Sequence, residues 1–174
     1  MDNKMPDLSF SLFGERFDTP IMTAALSHLD GLCGQGTVEM AKGAKEAGAV
    51  AWVGMGDKQE LEKITATGAR TVKIIKPYAD NAVIFDRIAH AKSCGALAVG
   101  MDVDHAFDGQ GNYDTVMGFA MRPKTADEIH SFVQAAGIPF IVKGILSVQD
   151  AYKCLQAGAA GIVVSHHHGI MDYA

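Results

Sequence analysis

The chain has 174 residues, 48% of them hydrophobic, and a formal net charge of −5. This length indicates one domain that can bury a substantial core. The acidic balance argues against a nucleic-acid or anionic-membrane partner, and no apolar stretch reaches the ~20 residues of a membrane-spanning helix. Three widely spaced cysteines and an N-terminus without an apolar signal sequence predict reduced thiols and a cytoplasmic protein.

The chain begins with a short alternating segment and continues as repeated strand–helix units. Residues 8–17 alternate around a glycine, which predicts a small β-hairpin that could close the amino-terminal mouth of a barrel. Most of the later strands are fully apolar and follow a glycine-containing turn, which is typical of a parallel sheet covered on both faces. Six strands are predicted at 20–25, 49–54, 71–76, 97–103, 139–143 and 161–165, and helices at 36–47, 58–67, 80–94, 124–136 and 147–157.

Strict alternation of strands and helices allows a doubly wound sheet or a (βα)₈ barrel. We treat residues 1–174 as one domain, because no linker or low-complexity run divides the chain. The longest connection, 105–123, is rich in Gly, Asp and Asn, and long loops of compact domains are usually functional or mobile.

Polar residues close two neighbouring apolar strands. Lys143 ends one of them, and Ser165 with three consecutive histidines, 166–168, ends the next. In parallel α/β folds the carboxyl ends of the strands carry the chemistry, so one shared site is predicted. Lys143 is either a surface lysine or a fixed cation that faces an anion or an electron-rich ring.

His167 has three interpretations: a metal ligand, an exposed loop residue without a role, or a catalytic histidine that shares a site with Lys143. Consecutive histidines point in different directions, so the triplet is a poor set of metal ligands and we predict no metal. The catalytic interpretation is favoured.

Two carboxylates end the fourth predicted strand. Asp102 and Asp104 share a face by the period of two, and one of them could fix the tautomer of a histidine across the barrel mouth. The alternative is that they cap the following loop. Lys76 adds a second cation at the third strand end, and Gly54 leaves the backbone open at the second.

Two segments resemble a known family. Ile141-Val-Lys-Gly-Ile-Leu-Ser-Val-Gln-Asp-Ala151 and Gly158-Ala-Ala-Gly-Ile-Val-Val-Ser-His-His-His-Gly169 are similar to the FMN-dependent α-hydroxy-acid dehydrogenases and oxidases, among them glycolate oxidase and lactate oxidase. Their signature is a Lys-Gly strand end, a helix, and then Ser-Asn-His-Gly-Gly-Arg. The resemblance implies an FMN-binding (βα)₈ TIM barrel of which this chain carries about six of the eight units.

The resemblance also implies roles for single residues. Lys143 matches the lysine beside flavin N1 and the C2 carbonyl, where a cation stabilises the anionic reduced flavin. His167 matches the base that takes the substrate hydroxyl proton while a hydride equivalent passes to flavin N5, and Asp104 matches the aspartate that steadies this base. The implied cofactor-binding positions, with Lys143, are Ala25, Leu26, Ser27, Gly54, Lys76, Asp102 and Ser165.

The chain departs from the family at the substrate. Ile170 stands in place of the arginine that grips the substrate carboxylate, the second such arginine has no counterpart in 105–111, and Lys76 replaces a tyrosine. Strands seven and eight of the family barrel are also lacking, which would leave open sheet edges. We therefore expect a fragment that a missing C-terminal segment completes, or a homo-oligomer.

The functional hypothesis is oxidation of a small 2-hydroxy-acid-like substrate by FMN, with His167 as base. Two alternatives stay open: a reduced-flavin isomerase similar to the type 2 isopentenyl diphosphate isomerases, and a catalytically silent binding or assembly module.

Overall fold

A computed structural model describes residues 4–167. At its centre lies a parallel five-stranded sheet in which neighbouring strands follow one another in chain order. A doubly wound sheet would reverse its strand order, so this sheet is an arc of a barrel. Its strands are β3 (Ala51–Val53), β4 (Thr71–Ile75), β5 (Ala98–Asp102), β8 (Phe140–Lys143) and β9 (Gly161–Val163).

Helices cover the outer face of this arc. Each of them begins and ends within two residues of its predicted bounds, because the turns and caps that fix helix ends are local in sequence. The helices are α1 (Gly36–Glu46), α2 (Lys58–Ala66), α3 (Asn81–Ser93), α4 (Ala126–Ala136) and α5 (Val148–Gln156). Among the described residues, no helix combines the length and apolarity needed to cross a membrane.

The alternation of side chains along the strands divides the core into an inner and an outer part. Val72, Ile74 and Ala98 face the barrel interior, while Val99 and Met101 pack outward against the helices. The predicted amino-terminal hairpin forms as β1 (Phe10–Leu12) and β2 (Glu15–Phe17). Its aromatic residues pack on the interior cluster, so the hairpin closes the amino-terminal mouth of the arc as predicted.

The predicted strand at 20–25 does not form. The backbone of its segment contacts the sheet through the Thr23 N–H, which donates to the Val50 carbonyl at 3.3 Å, and a parallel bridge joins Leu26 to Val53. The Thr23 hydroxyl explains the difference, because its oxygen accepts the Trp52 N–H at 2.7 Å. A side chain thus replaces the backbone ladder that the strand pattern implied.

The long connection 105–123 contains a second hairpin that the sequence did not predict. Its strands are β6 (Thr115–Val116) and β7 (Phe119–Ala120), and Met117 and Gly118 form the turn with positive φ angles. Tyr78 packs its ring edge-on against Phe119 at 5.3 Å between centroids, which ties the hairpin to the end of β4.

The last strand–helix unit exposes apolar surface. On α5 the side chains of Val148, Tyr152 and Leu155 are 74%, 61% and 67% exposed, and they share one face of the helix. Between β9 and the segment 20–25 lies an apolar cavity of about 630 Å³. These surfaces lie where further barrel units would pack, which agrees with a partial barrel.

A substitution in the buried core should lower the free energy of unfolding more than one on the exposed face of α5. Phe132 on α4 is fully buried, so Phe132→Ala should lower the free energy of unfolding by about 3–5 kcal/mol. In the monomer, Leu155→Ala should change it by less than about 0.5 kcal/mol, because this side chain is exposed in a single chain, so both variants are compared at protein concentrations too low for association. Urea unfolding of both variants measures this contrast, and equal losses would mean that the outer face of α5 is covered.

Candidate active site

Three polar side chains from neighbouring strand ends meet around the carboxylate of Asp102. The Lys76 ammonium donates to Asp102 Oδ2 and the Lys143 ammonium to Asp102 Oδ1, both at 2.7 Å. His167 Nδ1 lies 2.6 Å from Asp102 Oδ2. Asp102 is only 2% exposed, so these contacts replace its hydration.

The register of the parallel strands brings these residues together. Ile75 on β4 pairs with Met101 on β5, which places Lys76 beside Asp102 at the carboxyl ends of the two strands. Asp102 in turn pairs with Lys143 on β8. The sequence prediction that polar strand ends form one site therefore agrees with the geometry.

The charges around Asp102 determine its protonation. Burial by itself would raise the pKa of this carboxyl, but contacts with His167, Lys76 and Lys143 outweigh burial and hold the pKa well below its usual range. Burial also lowers the pKa of Lys76, against the opposing charge of Asp102. Asp102 is thus an ionised buried group, and removing one partner of such a group typically costs about 3–5 kcal/mol.

The roles of the two aspartates differ from the sequence prediction. Asp104 was expected to steady the His167 imidazole, but Asp102 contacts the ring, and Asp104 Oδ2 instead accepts the backbone N–H of His167 at 2.6 Å. The reason is that β5 ends at Asp102 and a turn follows, so the period of two no longer places both carboxylates on one face.

Asp104 lies behind the site in a confined position. A Cβ on Gly144, whose φ is +97°, would overlap the Asp104 carboxyl group, so the glycine of the Lys-Gly pair makes room for this residue. Burial and the negative charge of Asp102 raise the pKa of Asp104. The two carboxylates thus have pKa values that their environments push in opposite directions.

His105 belongs to the site, and sequence reasoning missed it. Its ring stacks on that of His167, with centroids 4.1 Å apart and planes 14° from parallel. Its Nε2 lies 3.3 Å from Asp114 Oδ2 in the long connection. Burial, followed by the positive charge of Lys76, lowers the pKa of His105 to about 4, so the ring is neutral at pH 7. The only sequence signal was its position directly after the strand-end aspartates.

One cavity of about 390 Å³ collects most of the predicted residues. Asp104 is not among its lining residues, nor is Ser165, whose buried hydroxyl has no hydrogen-bond partner in the described part of the chain. No arginine is among the described residues that line it. Predicted residues that do line it are Ala25, Leu26, Ser27, Gly54, Lys76, Asp102, Lys143 and His167.

Gly54 allows close packing because it has no side chain. A Cβ at this position would lie 2.5 Å from the Ala25 carbonyl oxygen, and the Gly54 N–H donates to the Leu26 carbonyl at 2.9 Å. The glycine therefore lets segment 25–27 approach β3 and form one wall of the cavity.

Ile170, predicted to replace the substrate arginine, lies outside the described residues, as does His168.

Comparison with known proteins bears on this arrangement. The family model described as FMN-dependent dehydrogenase matches residues 1–136 and 124–174. The chain belongs to this family. The fold agrees, since mandelate oxidase superposes with a TM-score of 0.83 at 24% identity over 97% of this chain and 56% of that chain. A complex of mandelate oxidase with (S)-2-phenylpropionate gives 0.82 at 25% identity, over 97% of this chain and 55% of that chain.

Curated relatives are similar over most of the chain but are much longer. The 4-hydroxymandelate oxidase of Amycolatopsis orientalis is 25% identical over 91% of this chain and 54% of its own length. The L-lactate oxidase of Lacticaseibacillus rhamnosus is 24% identical over 94% and 52%, and the glycolate oxidase of Spinacia oleracea 23% identical over 92% and 53%. The chain thus spans about half the length of these relatives, which agrees with a partial (βα)₈ barrel.

His105 should make stability depend on pH in the acid range. Its pKa is about 4 in the folded chain against an ordinary value of 6.5, so the unfolded chain binds the proton first as the pH falls. The free energy of unfolding should therefore fall between about pH 6.5 and pH 4 more steeply for the wild type than for His105→Gln. Urea unfolding across this range measures the difference, and parallel curves would contradict it.

Proposed function

We propose that the protein is an FMN-dependent oxidoreductase that oxidises a small 2-hydroxy-acid-like substrate. The observation that carries the proposal is the single cavity in which Lys76, Asp102, Lys143 and His167 meet. Membership in the FMN-dependent dehydrogenase family supports the cofactor. The names of the relatives, oxidases of 4-hydroxymandelate, L-lactate and glycolate, support the substrate class.

The residues of the cavity fit FMN in size and charge. Its volume of about 390 Å³ falls in the range of small-molecule sites. Two lysine cations face one carboxylate, which leaves a net positive charge suited to a flavin that becomes anionic on reduction. Segment 25–27 and Lys143 line the cavity and would hold the cofactor, and the Ser165 hydroxyl, which has no hydrogen-bond partner among the described residues, would contact it from beside this lining. FMN, when bound, would supply the acceptor for the two electrons that leave the substrate.

His167 is the proposed base for the substrate hydroxyl proton. The Asp102 carboxylate lies 2.6 Å from His167 Nδ1 and therefore favours the imidazole tautomer in which Nδ1 carries the proton. In this tautomer Nε2 is the nitrogen that can accept the substrate proton. Asp102 also stabilises the imidazolium that forms. Asp104 holds the backbone of the same residue, and His105 stacks on the ring, so the imidazole is fixed in position before substrate binds.

Lys76 is the proposed contact for the anionic group of the substrate. Its ammonium lies 3.4 Å from His167 Nε2, so an anionic group of a substrate held at the base would be within its reach. Because arginine is missing from the described lining, a single ammonium would replace the bidentate contacts of the family. This difference predicts weaker and less selective binding of carboxylates than two arginines would give.

A second copy of the chain is the proposed partner at the open side of the barrel. A second copy of the chain would cover the apolar face of α5 and the edge of β9, since an uncovered strand edge with adjacent apolar side chains favours association. Two further barrel units of a longer protein would cover the same surface.

The three free cysteines, Cys33, Cys94 and Cys154, support a cytoplasmic compartment.

Flavin reduction tests the catalytic proposal. The purified protein should bind FMN, and mandelate, lactate or glycolate should bleach the flavin absorbance under anaerobic conditions. His167→Asn should slow this reduction by about 10²-fold or more while FMN stays bound, because the base is lost but the asparagine amide can still donate a hydrogen bond to Asp102. Lys143→Met should weaken FMN binding at least about tenfold.

The matched control for the base is His130→Asn. His130 lies on α4 with Nδ1 3.2 Å from the Ala157 carbonyl, away from the cavity, so this variant should reduce flavin at the wild-type rate. Absence of FMN binding would contradict the cofactor proposal. Bound FMN that no 2-hydroxy acid reduces would contradict the reaction, and turnover of a diphosphate without net oxidation would favour an isomerase.

Sedimentation velocity tests whether a second copy of the chain covers the open side of the barrel. We expect the chain to form a dimer that Leu155→Lys weakens, because the substitution places a charge in the apolar face of α5. Ile162→Lys on β9 should act in the same way, whereas Lys42→Glu on α1 should not. If the chain is a monomer at all concentrations, the dimer is contradicted, and further barrel units of a longer protein would cover this surface instead.

A further inference from the structure

Three potential metal ligands meet on the outer surface of the arc, between α2 and α3. His90 Nε2 lies 3.1 Å from Glu62 Oε1 and 3.5 Å from Cys94 Sγ. All three donor atoms lie within 4.8 Å of one another. None of these residues lines the active-site cavity, and the proposed oxidation does not use them.

Helix geometry places these side chains together. His90 and Cys94 are four residues apart at the carboxyl end of α3, so their side chains lie on the same face of the helix. Glu62 comes from α2, which packs beside α3. The arrangement therefore depends on the packing of two helices and exists only in the folded chain.

Two of the three ligand–ligand distances are close to the edges of a zinc-centred tetrahedron, and the third is below 4.8 Å. Zinc bonds to nitrogen, oxygen and sulfur are roughly 2.0–2.3 Å long, which gives ligand–ligand edges of about 3.4 Å between nitrogen and oxygen and about 3.6 Å between nitrogen and sulfur. The observed 3.1 Å and 3.5 Å are close to these edges. An ion on the outer side of the three atoms would need only small side-chain movements.

We propose that Glu62, His90 and Cys94 form a zinc site, with water as the fourth ligand. A thiolate and an imidazole favour Zn²⁺ over Mg²⁺ or Ca²⁺, and the carboxylate completes a set that zinc accepts. A hydrogen bond between Glu62 and His90 explains one of the contacts without a metal. The Cys94 thiol, 3.5 Å from His90 Nε2 and 3.9 Å from Nδ1, adds a soft ligand atom beside the same ring.

A second group of candidate ligands lies in the active site, where the charges are less favourable for a metal ion. The other group of candidate ligands, Asp102, His105 and His167, is less suitable, because two lysines already neutralise Asp102 and would repel a metal ion. The proposed zinc site is therefore separate from the active site.

A cobalt titration tests the site directly, because thiolate bound to Co²⁺ gives a charge-transfer band in the near ultraviolet. The reduced wild-type protein should give this band with one equivalent of Co²⁺, and Zn²⁺ should displace it. Cys94→Ser should abolish the band, whereas the matched control Cys33→Ser, at an exposed loop cysteine, should retain it. Co²⁺ at the histidine triplet would not give a thiolate band.

Two further measurements distinguish metal binding from a loss of folding. Glu62 is exposed on α2, so Glu62→Gln should keep the fold and weaken Co²⁺ binding at least tenfold. Zn²⁺ should raise the thermal midpoint of the wild type but not of Cys94→Ser, since only the folded chain brings the ligands together. A missing band, a band that Cys33→Ser removes, or equal Co²⁺ binding by Glu62→Gln would each overturn the proposal.

Discussion

The buried carboxylate of Asp102 is the constraint on which the site depends. An ionised group with 2% exposure is stable only when other charges and donors replace its water, and Lys76, Lys143 and His167 provide them. These three partners come from the ends of β4, β8 and β9, so one carboxylate connects three strand ends across the arc. The positions of the proposed base and both cations are thereby coupled, and a change in one of them alters the others.

The same constraint separates this site from that of the family it belongs to. The resemblance places a tyrosine where Lys76 stands, and here the positive charge of Lys76 is balanced by the negative charge of Asp102. The cavity keeps a lysine, a histidine and an aspartate in the proposed catalytic positions, but its described lining offers ammonium groups for an anion. The described lining therefore differs from what the resemblance implies at the groups proposed to bind the substrate.

The outer face of the arc carries features that the inner site does not require. Apolar side chains on α5 lie beside an open strand edge, while α2 and α3 together present Glu62, His90 and Cys94. Both features arise because helices of a barrel pack side by side around the sheet. One provides a surface for association, and the other a place where two helices could be linked by an ion.

The sequence by itself determined the strand–helix alternation, the amino-terminal hairpin and the polar strand ends, because glycine turns, caps and apolar runs are local signals. Only the tertiary structure decided which aspartate contacts His167, since that depends on β5 ending at Asp102. It also decided that Thr23 bonds to Trp52 through its hydroxyl, and that His105 and the ligands Glu62, His90 and Cys94 meet their partners. These contacts depend on where a strand ends and how helices pack, and no short stretch of sequence encodes either.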